Sequence, residues 1–378
     1  MSERESGPPS PHVREFRFRG YRSLRDLHLQ PGPVTVLVGE NGCGKTNIYR
    51  AIERLAQSAR GEFARSFADE GGLSSALWAG GRRNHEVKLI SLVVRAEPFS
   101  YELTCGLSGR RDTVFDLDPE VASERVWIGD VRRASNTLVE RDKSVVQVMS
   151  EDGHVEPHPV SLRREESVLS QLRDADRYPE LAQLREMFAG WRFYHSFRSD
   201  RDAPARHPNT PCRTPVLADD GRDLSNAIAT IFEDGDADRF RKAMATLFPK
   251  GTFGVGRLPG GDLGYQVTIP DLKRPLGMRE LSDGELRFIC LVAALLTPEP
   301  PRLLVLNEPE TSLHPRLIPE LAELIAHATE RSQLIVTTHS HELANRLREL
   351  TGEEPIPLAL ENGETRVVGA GLIGHRRD

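Results

Sequence analysis

Eight consecutive residues near the start of the chain combine glycines, a lysine and a threonine at fixed places: Gly39-Glu40-Asn41-Gly42-Cys43-Gly44-Lys45-Thr46. They match the pattern G-x-x-x-x-G-K-[ST], in which the glycines let successive backbone N–H groups turn inward around a phosphate. We expect Lys45 to reach the β and γ phosphates of a nucleotide and the Thr46 hydroxyl to ligate Mg²⁺. The alternative is an accidental glycine-rich turn, which chance produces in roughly one chain per hundred of this length.

A second group of candidate side chains follows an apolar run later in the chain. Leu303–Leu306 is typical of a buried strand, and it ends in Asn307-Glu308-Pro309-Glu310. Acids at the carboxyl end of such a strand lie where ligands bind in open α/β sheets. Glu308 is therefore a candidate base that orients or deprotonates a water attacking a γ phosphate. On the alternative interpretation, these acids are only the solvated end of a core strand.

Asn307 stands where ATPases with this glycine loop carry a metal-binding aspartate. An asparagine keeps one carbonyl acceptor, gains an amide donor and loses a negative charge. We assign the metal to Thr46 and Asn307, and we expect Mg²⁺ affinity or turnover to be modest.

A serine turn precedes the Leu303–Leu306 strand by one helix. The turn, Leu281-Ser282-Asp283-Gly284-Glu285, leads into apolar residues at helical spacing, with Ser282 well placed as the N-cap. A capping motif alone would explain these residues. The same stretch also resembles the LSxGE signature of ATP-binding-cassette ATPases. That resemblance implies that Ser282 and Gly284 contact the γ phosphate held by Lys45 of a second subunit.

Two further stretches follow in the order of that family. Thr311-Ser312-Leu313-His314-Pro315 occupies the position of the D-loop, and the strand that begins at Gln333 ends at the switch-histidine position, His339. The opening Phe16–Leu24 is similar to the first strand of the RecF and SMC branch. The chain thus resembles RecF/SMC-like ATP-binding-cassette ATPases, closest to stand-alone bacterial "AAA family ATPase" proteins with RecF-like heads. The resemblance implies ATP and Mg²⁺ as cofactors and catalytic roles for Lys45, Glu308 and His339, the histidine sensing the γ phosphate.

A strand, a loop and a helix must position the glycine motif. Val34–Val38 is a β-branched and aliphatic run before the loop, and apolar residues recur at helical spacing from Lys45 to Arg60. We predict an α/β fold, a P-loop NTPase of the ATP-binding-cassette type, with a mixed sheet flanked by helices and a large inserted α+β arm. The predicted domains are an N-terminal ATPase lobe with the Walker A loop (1–96), the arm (97–275), and a C-terminal lobe with signature, Walker B, D-loop and switch histidine (276–378).

The predicted arm mixes strands and helices. Thr137–Val148 has the pattern of one strand, Glu165–Trp191 is helical in pattern, and Asp223–Phe232 and Ala237–Leu247 are predicted helices. Sustained a/d heptads do not occur, which indicates a globular insertion and excludes the long coiled coil of an SMC protein.

Segment lengths separate the chain from other branches of the family. The stretch from Lys45 to Ser282 is about twice as long as transporter ATPases require. The residues that follow His339 are too few for the metal-binding Toprim domain of OLD-type nucleases, and they lack the spaced carboxylates that such a domain requires. The family's Q-loop glutamine cannot be placed. Candidates for adenine contacts are Arg17, Arg19, Arg22 and Arg25, with a solvated sheet edge as the alternative.

Composition bounds the remaining possibilities. The 378 residues are 38% hydrophobic and 28% charged, as in a soluble globular protein, which excludes disorder of the whole chain. A net charge of -6 provides no overall field for a polyanion, so any nucleic-acid contact must be local. The four cysteines form no CxxC pair, and neither a zinc site nor a disulfide framework is indicated. We expect a cytoplasmic protein without a membrane segment, since the longest apolar run, Ile289–Leu296, is too short to span a bilayer.

The leading hypothesis is an ATPase whose two copies close around two nucleotides and separate after hydrolysis. The family resemblance points to action on DNA, in repair or in defence against phage, with a separate nuclease or effector protein as a possible partner. The alternative is a nucleotide-gated assembly module with little turnover, for which Asn307 and the unplaced glutamine are the reasons.

Overall fold

The computed structural model of the protein describes residues 13–81, 88–107, 109, 113–149, 155–157 and 161–369. These residues form two units. The antiparallel-sheet unit comprises the described residues within 13–32, 39–191 and 356–369, and the parallel-sheet unit comprises Pro33–Val38 and Arg192–Pro355. The units follow other boundaries than the predicted 1–96, 97–275 and 276–378, because the stretch predicted as an inserted arm contributes to both.

The antiparallel-sheet unit contains a large sheet, a group of helices and a hairpin. Its strands are β1 (Val13–Tyr21), β2 (Leu24–Leu29), β4 (Leu89–Ala96), β5 (Phe99–Leu107), β6 (Pro119–Ile128), β7 (Thr137–Asp142), β8 (Val145–Met149), β9 (Val155–Pro157), β16 (Ile356–Glu361) and β17 (Glu364–Val367). Its helices are α1 (Lys45–Arg60), α2 (Phe63–Ala68), α3 (Leu73–Ala76), α4 (Val168–Gln171) and α5 (Pro179–Ala189). The sheet has eight strands in the order β2-β1-β4-β5-β6-β7-β8-β9, while β16 and β17 pair as an antiparallel hairpin.

Apolar and charged residues alternate along β1, and this alternation determines which face of the sheet is covered. Phe16 and Phe18 are fully buried, whereas the arginines between and after them are not. Phe16 meets Trp191 edge to face, with ring centroids 6.1 Å apart, and Trp191 packs on Phe188 of α5 at 4.6 Å. Helix α1 also packs against α5. The period-two pattern of the sequence therefore places one apolar face of the sheet in the core of this unit.

The segment Thr137–Val148, predicted as one strand, is a hairpin. Strand β7 ends at Asp142 and β8 begins at Val145, with Lys143 at φ 54° in the turn. A positive φ is unusual for lysine. The turn therefore carried little sequence signal, and the prediction of an unbroken strand was wrong.

The parallel-sheet unit contains the other strands and helices. Its strands are β3 (Val34–Val38), β10 (Arg192–Tyr194), β11 (Thr252–Arg257), β12 (Leu263–Thr268), β13 (Leu276–Gly277), β14 (Leu303–Asn307) and β15 (Gln333–Thr338). Its helices are α6 (Leu224–Asp234), α7 (Ala237–Leu247), α8 (Asp283–Leu295), α9 (Ile318–Ala328) and α10 (His341–Thr351). Strands β10, β14, β15 and β3 are neighbours in that order and all run parallel, while β11, β12 and β13 form a small antiparallel sheet.

The register of the parallel strands aligns their carboxyl ends. Tyr194 of β10 is opposite Leu306, Asn307 of β14 is opposite Thr337, and Thr338 of β15 is opposite Val38. The residues that follow these strands therefore leave the sheet at one edge. This is the edge where ligands bind in open α/β sheets.

Helix α8 forms the centre of this unit's core. All residues from Phe288 to Leu295 are buried, as expected for a helix that is apolar on every side. It packs against α6, α7 and α9. In the part of the chain that the structure describes, we find no helix with the length and apolar character needed to cross a membrane.

A buried carboxylate in the antiparallel-sheet unit forms ion pairs with three arginines. Glu70 is 7% exposed and lies 2.8 Å from Arg22, 2.9 Å from Arg50 and 2.6 Å from Arg54, and it accepts a hydrogen bond from the Tyr21 hydroxyl at 3.0 Å. Burial by itself would raise the pKa of Glu70, but the three guanidinium groups, led by that of Arg54, outweigh it and hold the pKa below its ordinary value. Glu70 therefore favours the folded state when it is ionised.

We expect Glu70→Gln to destabilise the antiparallel-sheet unit by about 2 kcal/mol at neutral pH, because the arginines lose their shared counter-charge. Since the folded-state pKa is lowered, this stabilisation is present above the unfolded-state pKa of ~4.3 and is lost as the pH falls through the folded-state value. The measurement is urea unfolding followed by tryptophan fluorescence at pH 7 and pH 3. All three tryptophans, Trp78, Trp127 and Trp191, lie in this unit.

The matched control is Glu62→Gln, which removes an exposed carboxylate that lies before α2, whereas Glu70 lies after it. It should leave the unfolding midpoint nearly unchanged. A Glu70→Gln midpoint equal to that of wild type at pH 7 would contradict the expectation.

Candidate functional site

The glycine loop leads into an uncapped helix. Helix α1 begins at Lys45 with Gly44 as its N-cap; no side chain caps it, and no acidic residue lies in its first turn. Gly42 has a φ of 83° and open space where a Cβ would stand. The N–H groups and positive dipole end of α1 are therefore not neutralised by the loop's own side chains, and this arrangement fits a phosphate.

Lys45 is folded against the loop that precedes it. Its ammonium group donates to the carbonyls of Gly39 at 2.6 Å and Glu40 at 3.0 Å, and the side chain is buried. Glu40 and Asn41 are exposed at the rim, and Thr46 is half-buried in the first turn of α1. The ammonium group thus lies against carbonyl groups of the loop and can exchange one of them for a phosphate oxygen.

A threonine of β17, far from the glycine loop in sequence, braces this loop. Thr365, in β17, donates a hydrogen bond from its hydroxyl to the Cys43 carbonyl at 2.8 Å and lies 2.6 Å from the Ser23 hydroxyl. The Asn47 amide donates to that same Ser23 hydroxyl at 2.7 Å. A Cβ on Gly44 would overlap the Thr365 hydroxyl oxygen, so only glycine fits here. The sequence analysis identified neither Ser23 nor Thr365, because nothing in their local sequence marks them.

Glu308 follows β14 in a left-handed backbone conformation. Its φ is 50°, and its N–H donates to the Thr337 carbonyl at 2.9 Å. This conformation costs a non-glycine residue of order 1–3 kcal/mol, and such costs concentrate at functional sites. The carboxylate is 27% exposed, so the turn presents it at the strand edge.

His339 lies beside Glu308 at the end of the neighbouring strand. Its Nδ1 is 3.8 Å from a Glu308 carboxylate oxygen and 3.3 Å from Glu310. The Glu310 Oε1 accepts bonds from the Thr338 hydroxyl at 2.5 Å and from the N–H groups of His339 and Ser340 at 3.1 and 3.3 Å. The sequence analysis gave Glu310 no role, although its place as the second acid of the motif was a signal.

The other oxygen of Glu310, Oε2, is buried and has no hydrogen-bond partner among the described residues. An orphaned buried carboxylate oxygen favours a nearby cation or water. Within the same described ranges, no group of three or more His, Cys, Asp and Glu side chains could hold a metal ion by itself.

Asn307 is held at both ends of its amide. Its Oδ1 accepts from the Thr337 hydroxyl at 2.7 Å, and its Nδ2 lies 2.7 Å from Nδ1 of His195. Because the amide nitrogen donates, this His195 nitrogen accepts. His195 directly follows β10, so parallel pairing of β10 with β14 places it here. The sequence analysis missed it, since β10 is only three residues long.

The serine turn caps α8 and contacts the D-loop. The Ser282 hydroxyl accepts from the Glu285 N–H, and the Glu285 carboxylate accepts from the Ser282 N–H at 2.7 Å, a capping box. The predicted capping role is therefore confirmed. A Cβ on Gly284 would lie 2.7 Å from the Ser312 carbonyl, so this glycine permits close packing on the D-loop. Ser282 itself is exposed.

Arg206 anchors the same turn from inside the unit. Only 5% exposed, it donates to the Leu281 carbonyl at 2.7 Å and the Met278 carbonyl at 3.2 Å, and it pairs with Asp283 at 3.1 Å. Arg206 is therefore a buried structural residue that holds this turn in place.

The arginines considered for adenine contacts are mostly paired with acids. Arg17 and Arg19 bind Asp26 at 2.8 and 3.3 Å, and Arg22 belongs to the Glu70 cluster. These pairings favour a structural role for the three side chains.

Comparison with known families gives the decisive observation. Residues 34–144 and 152–345 match the model of a family described as "AAA domain, putative AbiEii toxin, Type IV TA system". The chain belongs to this AAA family. The match covers the glycine loop, the Glu308 strand end, the serine turn and His339, and it confirms the predicted relation to RecF/SMC-like ATP-binding-cassette ATPases.

The fold of this AAA family member is similar to solved SMC heads. One is an SmcHead bound to the C-winged helix domain of ScpA, with a TM-score of 0.53, 17% identity, and coverage of 94% of this chain and 97% of that one. Another is the Smc head domain derived from Pyrococcus furiosus, with a TM-score of 0.52, 14% identity, and coverage of 95% and 96%. The predicted fold class, a P-loop NTPase of the ATP-binding-cassette type, is confirmed.

A curated relative matches over a short stretch. It is the OLD nuclease of Thermus scotoductus, 44% identical over 41 residues, which are 11% of this chain and 8% of that protein. The match thus spans a small part of the nuclease's length.

The residues predicted to form the site are divided between the two units. The loop residues from Gly39 to Thr46 belong to the antiparallel-sheet unit, whereas Ser282, Gly284, Asn307, Glu308 and His339 belong to the parallel-sheet unit. Within the latter, the structure brings Glu308 and His339 together at one strand edge. Gly39 directly follows Val38, the last residue of β3, in the chain.

Proposed function

We propose that this AAA family member binds ATP with Mg²⁺ and hydrolyses it to ADP and phosphate. The observation that carries the proposal is the pairing of Glu308 with His339, 3.8 Å apart, at the carboxyl edge of the parallel strands. Strand β3 belongs to the same set of strands, and the glycine loop continues from it. Family membership supports an ATPase activity in general terms.

Each residue has a defined task in this proposal. The uncapped start of α1 and Lys45 hold the phosphates, and Thr46 and Asn307 hold Mg²⁺, which neutralises charge that develops on them. Glu308 orients the attacking water and accepts its proton. His339, oriented by Glu310, contacts the γ phosphate and senses its loss.

We further propose that two copies close around two nucleotides. The exposed Ser282 and the adjacent Gly284 would contact the nucleotide held by the other copy's loop. Support comes from the exposure of this turn and from its rigid support by Arg206. Hydrolysis would then release the closed dimer.

Steady-state phosphate release with ATP and Mg²⁺, together with light scattering after gel filtration, tests the proposal. We expect turnover above background and a dimer that forms with ATP and is absent with ADP. If wild type forms the ATP-dependent dimer and releases phosphate at background level, the second candidate, a nucleotide-gated assembly module, is correct. The Asn307 amide in place of an aspartate favours that candidate.

DNA is the proposed target, in repair or in defence against phage, with a separate nuclease or effector as partner. The support is the name of the matched relative, an OLD nuclease, and the family's description as a putative toxin. We expect the ATP-bound dimer of Glu308→Gln to shift labelled DNA in a gel at 50 mM salt and to release it as the salt rises. Equal mobility of the DNA with and without the dimer would contradict the assignment. We also propose a cytoplasmic location.

The metal assignment predicts the effect of Asn307→Asp. A carboxylate restores a negative oxygen ligand of the kind that Mg²⁺ prefers, so the Mg²⁺ concentration for half-maximal phosphate release should fall or turnover should rise. Asn345→Asp adds the same charge at an exposed position of α10 and serves as the control. An unchanged Mg²⁺ titration for Asn307→Asp would place this side chain away from the metal.

A further inference from the structure

A groove lies beside strand β11, in the parallel-sheet unit and apart from the residues assigned above. Its volume is about 640 Å³, and α6, α7 and β11 form its walls. The apolar part of the lining consists mainly of Phe232, Phe240, Met244, Phe253 and Val255. The volume is sufficient for two or three apolar side chains from a partner.

The open edge of β11 borders this groove. β11 pairs with β12 on one side, and within the described residues it has no strand on the other. The N–H of Leu258 donates to the Asp262 carbonyl at 2.8 Å, so these two residues form a hydrogen-bonded pair. Leu263 lies opposite Arg257 but forms its backbone hydrogen bonds with Asn209, at 3.0 and 2.7 Å. Hydrogen-bonded and non-bonded pairs alternate in an antiparallel ladder.

The alternation identifies the groups at the open edge. Arg257 forms a non-bonded pair with Leu263. Val255 and Phe253, two and four residues earlier in β11, therefore also form non-bonded pairs with the β12 residues opposite them. The N–H and C=O groups of these three residues therefore point away from β12. Apart from the ladder with β12, no backbone hydrogen bond of these groups occurs within the described residues. A strand edge of this kind accepts another extended backbone.

The one charged side chain of β11, Arg257, lies at the end of the strand and leaves the rest of the edge unblocked. The strand contains neither proline nor lysine, the residues that usually block edge strands. It contains Gly254 and Gly256 instead, and a Cβ on either would have no neighbour within 4 Å. A partner backbone could thus approach closely from the edge.

The side chains of β11 determine what such a partner must carry. Phe253 packs on Phe240 of α7, with ring centroids 5.6 Å apart, so the odd-numbered side chains face the helices and the groove. Alternate side chains of an added strand would point to the same face and meet the apolar wall. At one end of the strand, Arg257 is exposed and has no carboxylate partner within the described ranges. An acidic residue would complement it.

We propose that β11 is a docking edge for an extended segment of a partner protein, which adds to the small sheet as a fourth strand. The segment has apolar residues at alternate positions, which fill the groove against Phe232 and Met244, and an acidic residue opposite Arg257. Main-chain bonds to Phe253, Val255 and Arg257 hold it, and the groove selects its side chains. This surface is separate from the nucleotide site, so its test does not depend on ATP hydrolysis.

The experiment selects ten-residue peptides from a random phage-displayed library on the full chain, with counter-selection on Val255→Pro. Proline removes one outward N–H without breaking a bond to β12, and edge strands tolerate it. Val255→Ala keeps the N–H, loses most of the side chain and is the matched control. Fluorescein-labelled forms of the enriched peptides then give the affinities, and circular dichroism confirms that both variants are folded.

We expect enriched peptides to show alternating apolar positions and an acidic residue. Val255→Pro should weaken their binding by roughly tenfold or more, and Val255→Ala by much less. Hydrogen exchange should show new protection at the amides of Phe253, Val255 and Arg257. Arg257→Glu should weaken the acidic peptides, which keeps the proposal testable if Val255→Pro does not fold.

Several results would overturn the proposal. These are no enrichment over the counter-selection, equal binding to wild type and Val255→Pro, or protection confined to other segments. A dimer of the chain that Val255→Pro dissociates would also overturn it, because the occupant would then be a second copy.

Discussion

Glu308→Gln should lower phosphate release by about 100-fold or more while ATP binding persists. The glutamine keeps the size of the side chain and can still touch a water, but it cannot accept the proton that the water loses. Because the amide also removes a negative charge next to the phosphates, the ATP-bound dimer should persist longer than that of wild type. Single-turnover phosphate release and light scattering with ATP measure both effects.

A matched control for this substitution is available in the same unit. Glu342→Gln removes an exposed carboxylate from the first turn of α10, three residues after His339. It should leave turnover and dimer lifetime as in wild type. If Glu308→Gln retains wild-type turnover, Glu308 does not act on the water, and Glu310 becomes the carboxylate to substitute next.

Gly44→Ala should abolish most nucleotide binding, with an affinity loss of about 100-fold or more. The residue has a φ of 104°, a region in which alanine is strained, and the new methyl group would overlap the Thr365 hydroxyl. The loop must therefore shift away from its brace, and the N–H groups at the start of α1 shift with it. Calorimetric titration with ATP and Mg²⁺ measures the loss.

Gly42→Ala shows how much of the Gly44→Ala effect comes from steric overlap with Thr365 and how much from backbone strain. Gly42 also has a positive φ, 83°, but its Cβ would enter open space. We expect a loss of tenfold or less for this variant. Equal losses for the two variants would mean that strain alone matters and that the Thr365 brace does not position the loop.

Local sequence was sufficient to predict the elements that begin and end with their own signals. Helix α1 was predicted from Lys45 to Arg60 and has those bounds, because Gly44 and Gly61 both adopt left-handed conformations at its ends. Helix α8 likewise begins directly after the predicted cap, Ser282. In both cases the signal lies within a few residues of the boundary.

Contacts between distant parts of the chain could not be predicted in this way. His195 meets Asn307 across 112 positions, and Thr365 meets Cys43 across 322. The short strand β10 exists because it pairs with β14; its three residues carry no strand pattern of their own. Arg206 resembles its exposed neighbours in sequence, and only the turn at Leu281 makes it a buried residue. The catalytic and metal-binding roles assigned to the site residues stay proposals.

The brace at Thr365 has a consequence for synthesis on the ribosome. The glycine loop emerges early, but the hydroxyl that holds its Cys43 carbonyl is translated more than three hundred residues later. A nascent chain therefore lacks a finished phosphate cradle until Thr365 has been made, and products terminated before this residue should not compete for nucleotide.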